Sequence, residues 1–262
     1  MKHLEIRTAM PFSAEKYAIG FRYTTNKMRL LETGAGKGVE IICCEPRQDA
    51  ELGDILYEHS ILHLSEQMHR MLRLLSPKGS EEVHIKSNIK FPQVTSTYTN
   101  YYMKEAFHIT TQEISEAGKK VNENALLLDN NKISSRNVIT IDILNPPISN
   151  NDKSLTPNLE TLIPNARQKV LDSDWLQTEP NTMINYQFSD IKFKWFGLQE
   201  KVEKILEKEL IRINAIYHRR MYYWMDEWYN MTMTDLEASQ DTIKQALDEK
   251  RHQSEFTGLV TR

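Results

Sequence analysis

With two cysteines in 262 residues, adjacent at Cys43 and Cys44, the chain has no material for a disulfide framework. They fall in a strand-like run, where neighbouring side chains point to opposite faces. No apolar stretch approaches the ~20 residues that a membrane-spanning helix needs. The N-terminus, Met-Lys-His-Leu-Glu-Ile, is charged and alternating where a secretory signal would be uniformly apolar. We therefore expect a cytoplasmic protein, peripheral on any membrane it meets. A surplus of one charge sign is also missing. The formal net charge is -3 with a pI near 6.3, which gives nucleic-acid binding no electrostatic support. What remains is ordinary for a folded globular chain, with 40% hydrophobic and 26% charged residues. A chain of this length buries roughly 70% or more of its unfolded surface, enough for one large core or a core with a cavity.

Standard chemistry is missing as well. The closest histidine pair, His59 and His63, lies four positions apart in a strand, about 13 Å, too far for one zinc ion. His-Glu-x-x-His, Cys-x-x-Cys, Gly-x-Ser-x-Gly and the kinase elements do not occur, so no catalytic residues, metal or cofactor are assigned. Gly34, Gly36 and Gly38 invite comparison with a phosphate-binding loop. Their spacing is wrong for one, and they lead into a strand, so they are read as a turn.

The pattern along the chain is informative. Residues 3–9 alternate as a strand, and Ser13 is placed to cap a helix running from residue 14 into the 20s. Strands are predicted at 39–44, 55–63, 82–91, 94–102, 106–114, 137–144 and 182–194, the closely spaced ones forming an antiparallel meander. Ser65 should cap a short helix that stops before Pro77. The segment 145–181 is rich in Asn, Pro, Ser and Asp, with one helical patch around Ala166 to Leu171. The strongest periodicity follows Gly197, where apolar residues from Val202 to Trp228 recur at three- and four-residue spacing along one face of a long helix. A second helix is expected from Thr234, with Glu237 completing a capping box. The fold class is α+β: one antiparallel sheet wrapped on a long C-terminal helix, a single domain over 1–252 with a tail at 253–262.

Several segments then carry a resemblance. Lys192-Phe-Lys-Trp-Phe-Gly-Leu-Gln199 with Lys201-Val-Glu203, Glu32-Thr-Gly34 with Gly38-Val-Glu40, Glu45-Pro46, Met103-Lys-Glu105 with Phe107, and Trp224, Asp226, Trp228 with Leu247-Asp-Glu249 together resemble the phosphatidylinositol transfer proteins. The resemblance spans nearly the whole chain and weakens between residues 115 and 180. It implies a START-like, helix-grip fold in which a curved sheet and long helices enclose one phospholipid as cargo, exchanged at a transient membrane surface by a monomer. It makes Trp195 and Phe196 the membrane-docking pair, and Ile213, Tyr217, Met221 and Trp224 the cavity face of the long helix.

The resemblance also exposes a departure. The family positions that hold the inositol ring, a Thr, a Lys, an Asn and a Glu, fall here on Glu58, Ser60, Ile89 and Gln240. Those that hold the phosphate fall on Phe21, Ser96, Glu113 and Gln187, and only Ser96 keeps a hydroxyl in kind. With a cation lost and Glu58 and Glu113 gained, an anionic headgroup should meet repulsion, so a zwitterionic or less polar lipid is expected. Two other readings stay open: a sensor that presents its lipid to a partner without moving it, and an enzyme acting in the cavity.

Overall fold

The computed structural model of the chain describes residues 1–64, 81–146, 148 and 171–253. Its strands are β1 (Lys2–Met10), β2 (Gly38–Asp49), β3 (Gly53–His63), β4 (Glu82–Lys90), β5 (Gln93–Thr99), β6 (Phe107–Ala117), β7 (Arg136–Ile141) and β8 (Met183–Phe193). The helices are α1 (Ala14–Leu31), α2 (Asn130–Ser135), α3 (Trp175–Thr178), α4 (Gln199–Tyr223), α5 (Met225–Trp228), α6 (Met233–Ala238) and α7 (Gln240–His252). The helix expected after Ser65, the patch at 166–171 up to residue 170, and the tail beyond residue 253 lie outside the described residues.

The eight strands form one sheet in the order β2-β3-β4-β5-β6-β8-β1-β7. β2 through β6 pair antiparallel in chain order, β4 to β6 as the expected meander, and β8 then inserts between β6 and β1. β7 pairs with β1 in parallel, which the short spacing of the sequence signals did not foretell. Every other ladder is antiparallel.

One face of the sheet receives α1 and α4. Leu4, Ile6, Ile109, Ile141 and Ile191 point to this side and pack with Ala215, Leu206 and Leu210 of α4. Full burial of each such aliphatic side chain stabilises the fold by about 1.5–3 kcal/mol. A larger cluster gathers Phe12, Tyr17, Met221, Tyr222, Trp224, Met225 and Trp228 where α1 meets the end of α4. Gly20 belongs there because a Cβ at that position would stand 3.0 Å from the Trp228 ring. On the opposite face of β1 the alternating polar residues are also covered. Glu5 is buried, taking Arg7 Nε at 2.6 Å and Arg136 Nε at 2.9 Å.

The long helix is shorter than its periodicity predicts. It ends at Tyr223, Trp224 caps it, and Met225 and Trp228 belong to a separate turn, α5. The apolar spacing continues across the break because Trp228 folds back, its indole Nε1 donating to the Met221 carbonyl at 2.9 Å. The capping box is also displaced by two residues. Thr232, not Thr234, is the N-cap, and Asp235 supplies the carboxylate that was expected from Glu237. Asp235 reaches the Thr232 backbone N–H at 2.8 Å, and α6 gives way to α7 at Ser239.

Candidate functional site

Two regions hold the residues singled out by the sequence. The first is the sheet face under α1 and α4. Directly opposed residues on paired strands share a face, as do residues two apart on one strand. Glu58 opposes Ser87, Ser87 opposes Ser96, and Ser96 opposes Thr111, which in turn opposes Ser189. One step along, Ile89 opposes Val94, Val94 opposes Glu113, and Glu113 opposes Gln187. Ser60 is two residues from Glu58. All six aligned sheet positions, Glu58, Ser60, Ile89, Ser96, Glu113 and Gln187, therefore face the same side.

Helix α1 closes one corner of that face. Arg22 and Arg29 lie seven residues apart, two helical turns, so both point the same way. Glu58 receives Arg29 through both terminal nitrogens, Nη1 at 3.1 Å and a shorter contact from Nη2, and Arg22 Nη1 stands at 3.7 Å. Burial by itself would push the Glu58 carboxyl up, but Arg29 and Arg22 hold it below the ordinary carboxylate range. Arg22 also donates to the Gln240 side-chain oxygen at 2.6 Å, which ties the start of α7 to this corner. Burial pushes the neighbouring Cys44 thiol up.

This arrangement changes the electrostatics expected from the sequence. Glu58 is not a carboxylate awaiting a ligand; it is 3% exposed and already paired. Two guanidiniums against one carboxylate leave the corner with a surplus of one positive charge. The repulsion expected from Glu58 toward an anionic headgroup is thereby removed at this point.

Glu113 is different. Among the described residues no cation stands beside it, and burial pushes its pKa up to about 7, against the opposing pull of a hydrogen bond with Asn185. Tyr98 is raised to about 12 by burial and by Glu113. Across from it, Gln187 accepts from the Asn214 amide of α4, and Asn214 accepts from Thr8 at 3.2 Å. Tyr217 donates to the Phe21 carbonyl at 2.8 Å and meets Thr25 at 3.0 Å. His218, depressed to about 4 by burial, is held by Tyr17 at 3.0 Å.

Arg29, Tyr98, Glu113 and Tyr217 lie deep between sheet and helices and yet are only partly covered by protein atoms. Phe21, Leu56, Ile85 and Ile89 are similarly half-covered. Of the four positions expected along the inner face of the long helix, Ile213 keeps half its surface uncovered and Tyr217 is partly covered. Met221 and Trp224 are packed into the core cluster with Phe12 and Tyr17.

The second region is the junction between β8 and α4. The sheet ladder runs to Phe193, and the Lys194 N–H still reaches the Ala106 carbonyl at 2.6 Å. Gly197 then takes φ +74°, a left-handed turn that suits glycine, and the Leu198 N–H closes the loop on the Trp195 carbonyl at 3.0 Å. Glu203, buried in the first turns of α4, accepts the Phe193 N–H at 3.0 Å and pairs with the N-terminal ammonium at 3.1 Å. So anchored on both sides, the loop presents Phe196 with no cover at all and Trp195 at 37% exposure. Tyr101 and Tyr102, on the turn before β6, are also exposed at this end of the sheet.

Among the described residues, no helix is long and apolar enough to cross a membrane, and no three His, Cys, Asp or Glu side chains are grouped to hold a metal ion. Sequence reading missed Arg22 and Arg29. The signal available was a pair of arginines at i and i+7 on a helix that also carries Phe21, Thr25 and Met28.

A family model described as phosphatidylinositol transfer protein matches residues 1–245. The phosphatidylinositol transfer protein beta isoform of Homo sapiens is 30% identical over 97% of this chain and 96% of its own length. Phosphatidylinositol transfer protein 1 of Dictyostelium discoideum is 28% identical over 94% of this chain and 96% of its own. Phosphatidylinositol transfer protein 5 of the same organism is 24% identical over 95% of this chain. The chain belongs to the phosphatidylinositol transfer protein family.

Proposed function

We propose that this member of the family is a carrier that encloses one phospholipid between sheet and helices and exchanges it at membrane surfaces, with a headgroup preference moved away from inositol. The observation that carries the reading is the Trp195-Phe196 loop. A large aromatic side chain with no protein cover has no stabilising role within the fold, and this one is held out by a turn fastened to the sheet and to α4. Burying two such side chains in a bilayer contributes on the order of 1.5 to 3 kcal/mol each. That suffices for transient docking and allows release.

The altered preference is supported by the side chains now at the aligned ring positions. Glu58 and Gln240 are engaged by Arg22 and Arg29, and Ile89 offers no hydrogen bond. Inositol hydroxyls placed there would find fewer partners than they need, at about 1–3 kcal/mol for each buried group left without one. Lipid transfer between donor and acceptor vesicles tests the docking reading. The double substitution Trp195→Ala with Phe196→Ala should abolish transfer and leave the circular dichroism and melting curve unchanged. Wild-type transfer rates in that variant would refute it.

A further inference from the structure

The outer face of the sheet, turned away from α1 and α4, carries a cluster of ligand-type side chains that takes no part in enclosing a lipid. Glu58 and Ser60 face inward, so His59 between them faces outward. On that face Cys43 of β2 directly opposes His59 of β3, and His59 opposes Lys86 of β4, two residues from His84. The diagonal between the two strands brings the histidines together, with His59 Nε2 and His84 Nδ1 3.1 Å apart. Spacing within one strand offers His59 and His63, which are too far apart; the pair that meets is made across strands.

Two imidazole nitrogens on one tetrahedral zinc ion, each at about 2.0–2.1 Å, lie about 3.3 Å from each other. The observed separation is close to that. A small turn of the rings converts a nitrogen-to-nitrogen hydrogen bond into two lone pairs aimed at one point. Burial first, with Lys86 contributing at both, holds the two rings below the ordinary histidine range, so both are neutral at pH 7 and have a lone pair to give. His84 Nε2 has no protein partner that would fix its tautomer. His59 is half-buried, so solvent reaches the pair from its side, while the largely exposed Tyr101 stacks on His84 at 3.8 Å.

As the side chains lie, the described residues bring two ligand atoms together and not three. Cys43, a free thiol, is placed to be the third. Directly opposed residues of an antiparallel pair have Cβ atoms about 4.5–5.5 Å apart, and Arg47 acts on both Cys43 and His59, which puts the thiol on the histidine side of β2. Rotation about its Cα–Cβ bond carries the sulfur toward the pair. We propose that Cys43, His59 and His84 form a zinc site across β2, β3 and β4, with water in the fourth position. Imidazole and thiolate together suit zinc and give the harder magnesium and calcium ions nothing to prefer. Binding displaces the Cys43 thiol proton to solvent, with no change of oxidation state. Lys86 and Arg47 favour the thiolate and repel the dication, and the thiolate's charge offsets that repulsion. Because β2 is the edge of the sheet, the ion pins an outermost strand to its two neighbours.

The full chain, stripped with a chelator and dialysed, is titrated with zinc chloride by calorimetry and with cobalt chloride by absorption spectroscopy. One zinc ion per chain is expected, with an affinity that rises with pH as the thiol proton is displaced, and a melting temperature that rises when zinc is added. Cobalt should show tetrahedral ligand-field bands together with a thiolate charge-transfer band. His59→Ala, at a half-buried position, should keep the circular dichroism of the wild type, weaken zinc about tenfold or more and abolish the melting shift. His84→Gln should do the same. Cys43→Ser should weaken zinc and erase the charge-transfer band, whereas His252→Ala, at the exposed end of α7, should change nothing. Absence of saturable zinc binding, or unchanged affinity in His59→Ala, overturns the site. Affinity that falls in His252→Ala instead marks adventitious surface coordination and overturns it as well. Cobalt bound without the charge-transfer band overturns the three-residue site by removing Cys43 from it.

Discussion

The aromatic loop at the start of α4 and the charged corner beneath α1 spend side chains in opposite ways. In the loop, large apolar groups sit in water, where they stabilise nothing within the chain. In the corner, three ionised groups sit out of water, where each is costly unless partnered. The loop is therefore free to change without consequence for the fold, while the corner is constrained by the fold even before any ligand is considered. Function that depends on the first is separable from stability; function that depends on the second is not.

Substitutions measure that difference directly, and the corner should give the largest effect. Glu58→Ala leaves Arg22 and Arg29 as uncompensated buried cations and should cost about 3–5 kcal/mol in urea denaturation. Replacing the whole cluster, with Arg22→Met, Arg29→Met and Glu58→Leu, should recover most of that loss, because apolar side chains of similar volume substitute for a buried ion cluster at little net cost. A Glu58→Ala protein as stable as wild type would erase the contrast between the two regions.

Glu113 should give an intermediate effect, legible in its pH dependence. Its folded pKa of about 7 lies above the ordinary 4.5, so between those values the folded chain keeps a proton that the unfolded chain has released. Stability should accordingly fall as pH rises from about 4.5 to about 7, by about 1–3 kcal/mol. Glu113→Gln should flatten this slope and be more stable than wild type at pH 8. Melting temperatures across pH 5–8 for the two proteins decide it, and parallel curves would show that Glu113 does not titrate in this range.

The smallest effect belongs to the loop. Trp195→Ala with Phe196→Ala should shift unfolding free energy by less than about 0.5 kcal/mol, as exposed substitutions do. A larger loss would mean that the pair is part of the core and would blur the comparison.

How far the sequence could be read follows the same division. The strands of the meander and the long helix were legible because their burial is periodic, and Leu4, Ile6 and Ile191 occupy the faces that alternation assigns. The exposure of Phe196 was legible through the resemblance, since it depends on no distant partner. The charged corner was not, because it is assembled from α1, β3 and the start of α7, and single positions compared one at a time show Glu58 without the arginines that neutralise it. The capping box moved from Thr234 to Thr232 for a related reason. Asp235 and Glu237 both carry a carboxylate, and backbone geometry chose between them. The parallel pairing of β7 with β1 had no signal of its own, as hydrophobic pattern gives strands but not neighbours.

That neighbour relation has a consequence for how the protein is made. Lys2 pairs with Ile191, and the whole of β1 lies between β8 and β7. In synthesis β1 precedes both of its neighbours, β7 and then β8, so its edge on the β8 side stays open until Phe193 has emerged. Contacts so distant in sequence form late and slowly. Until they form, the sheet has no β8 to join its meander to its first strand, and α4 has no floor to lie on. The sheet is joined, and α4 seated on it, only after β8 and α4 have been translated.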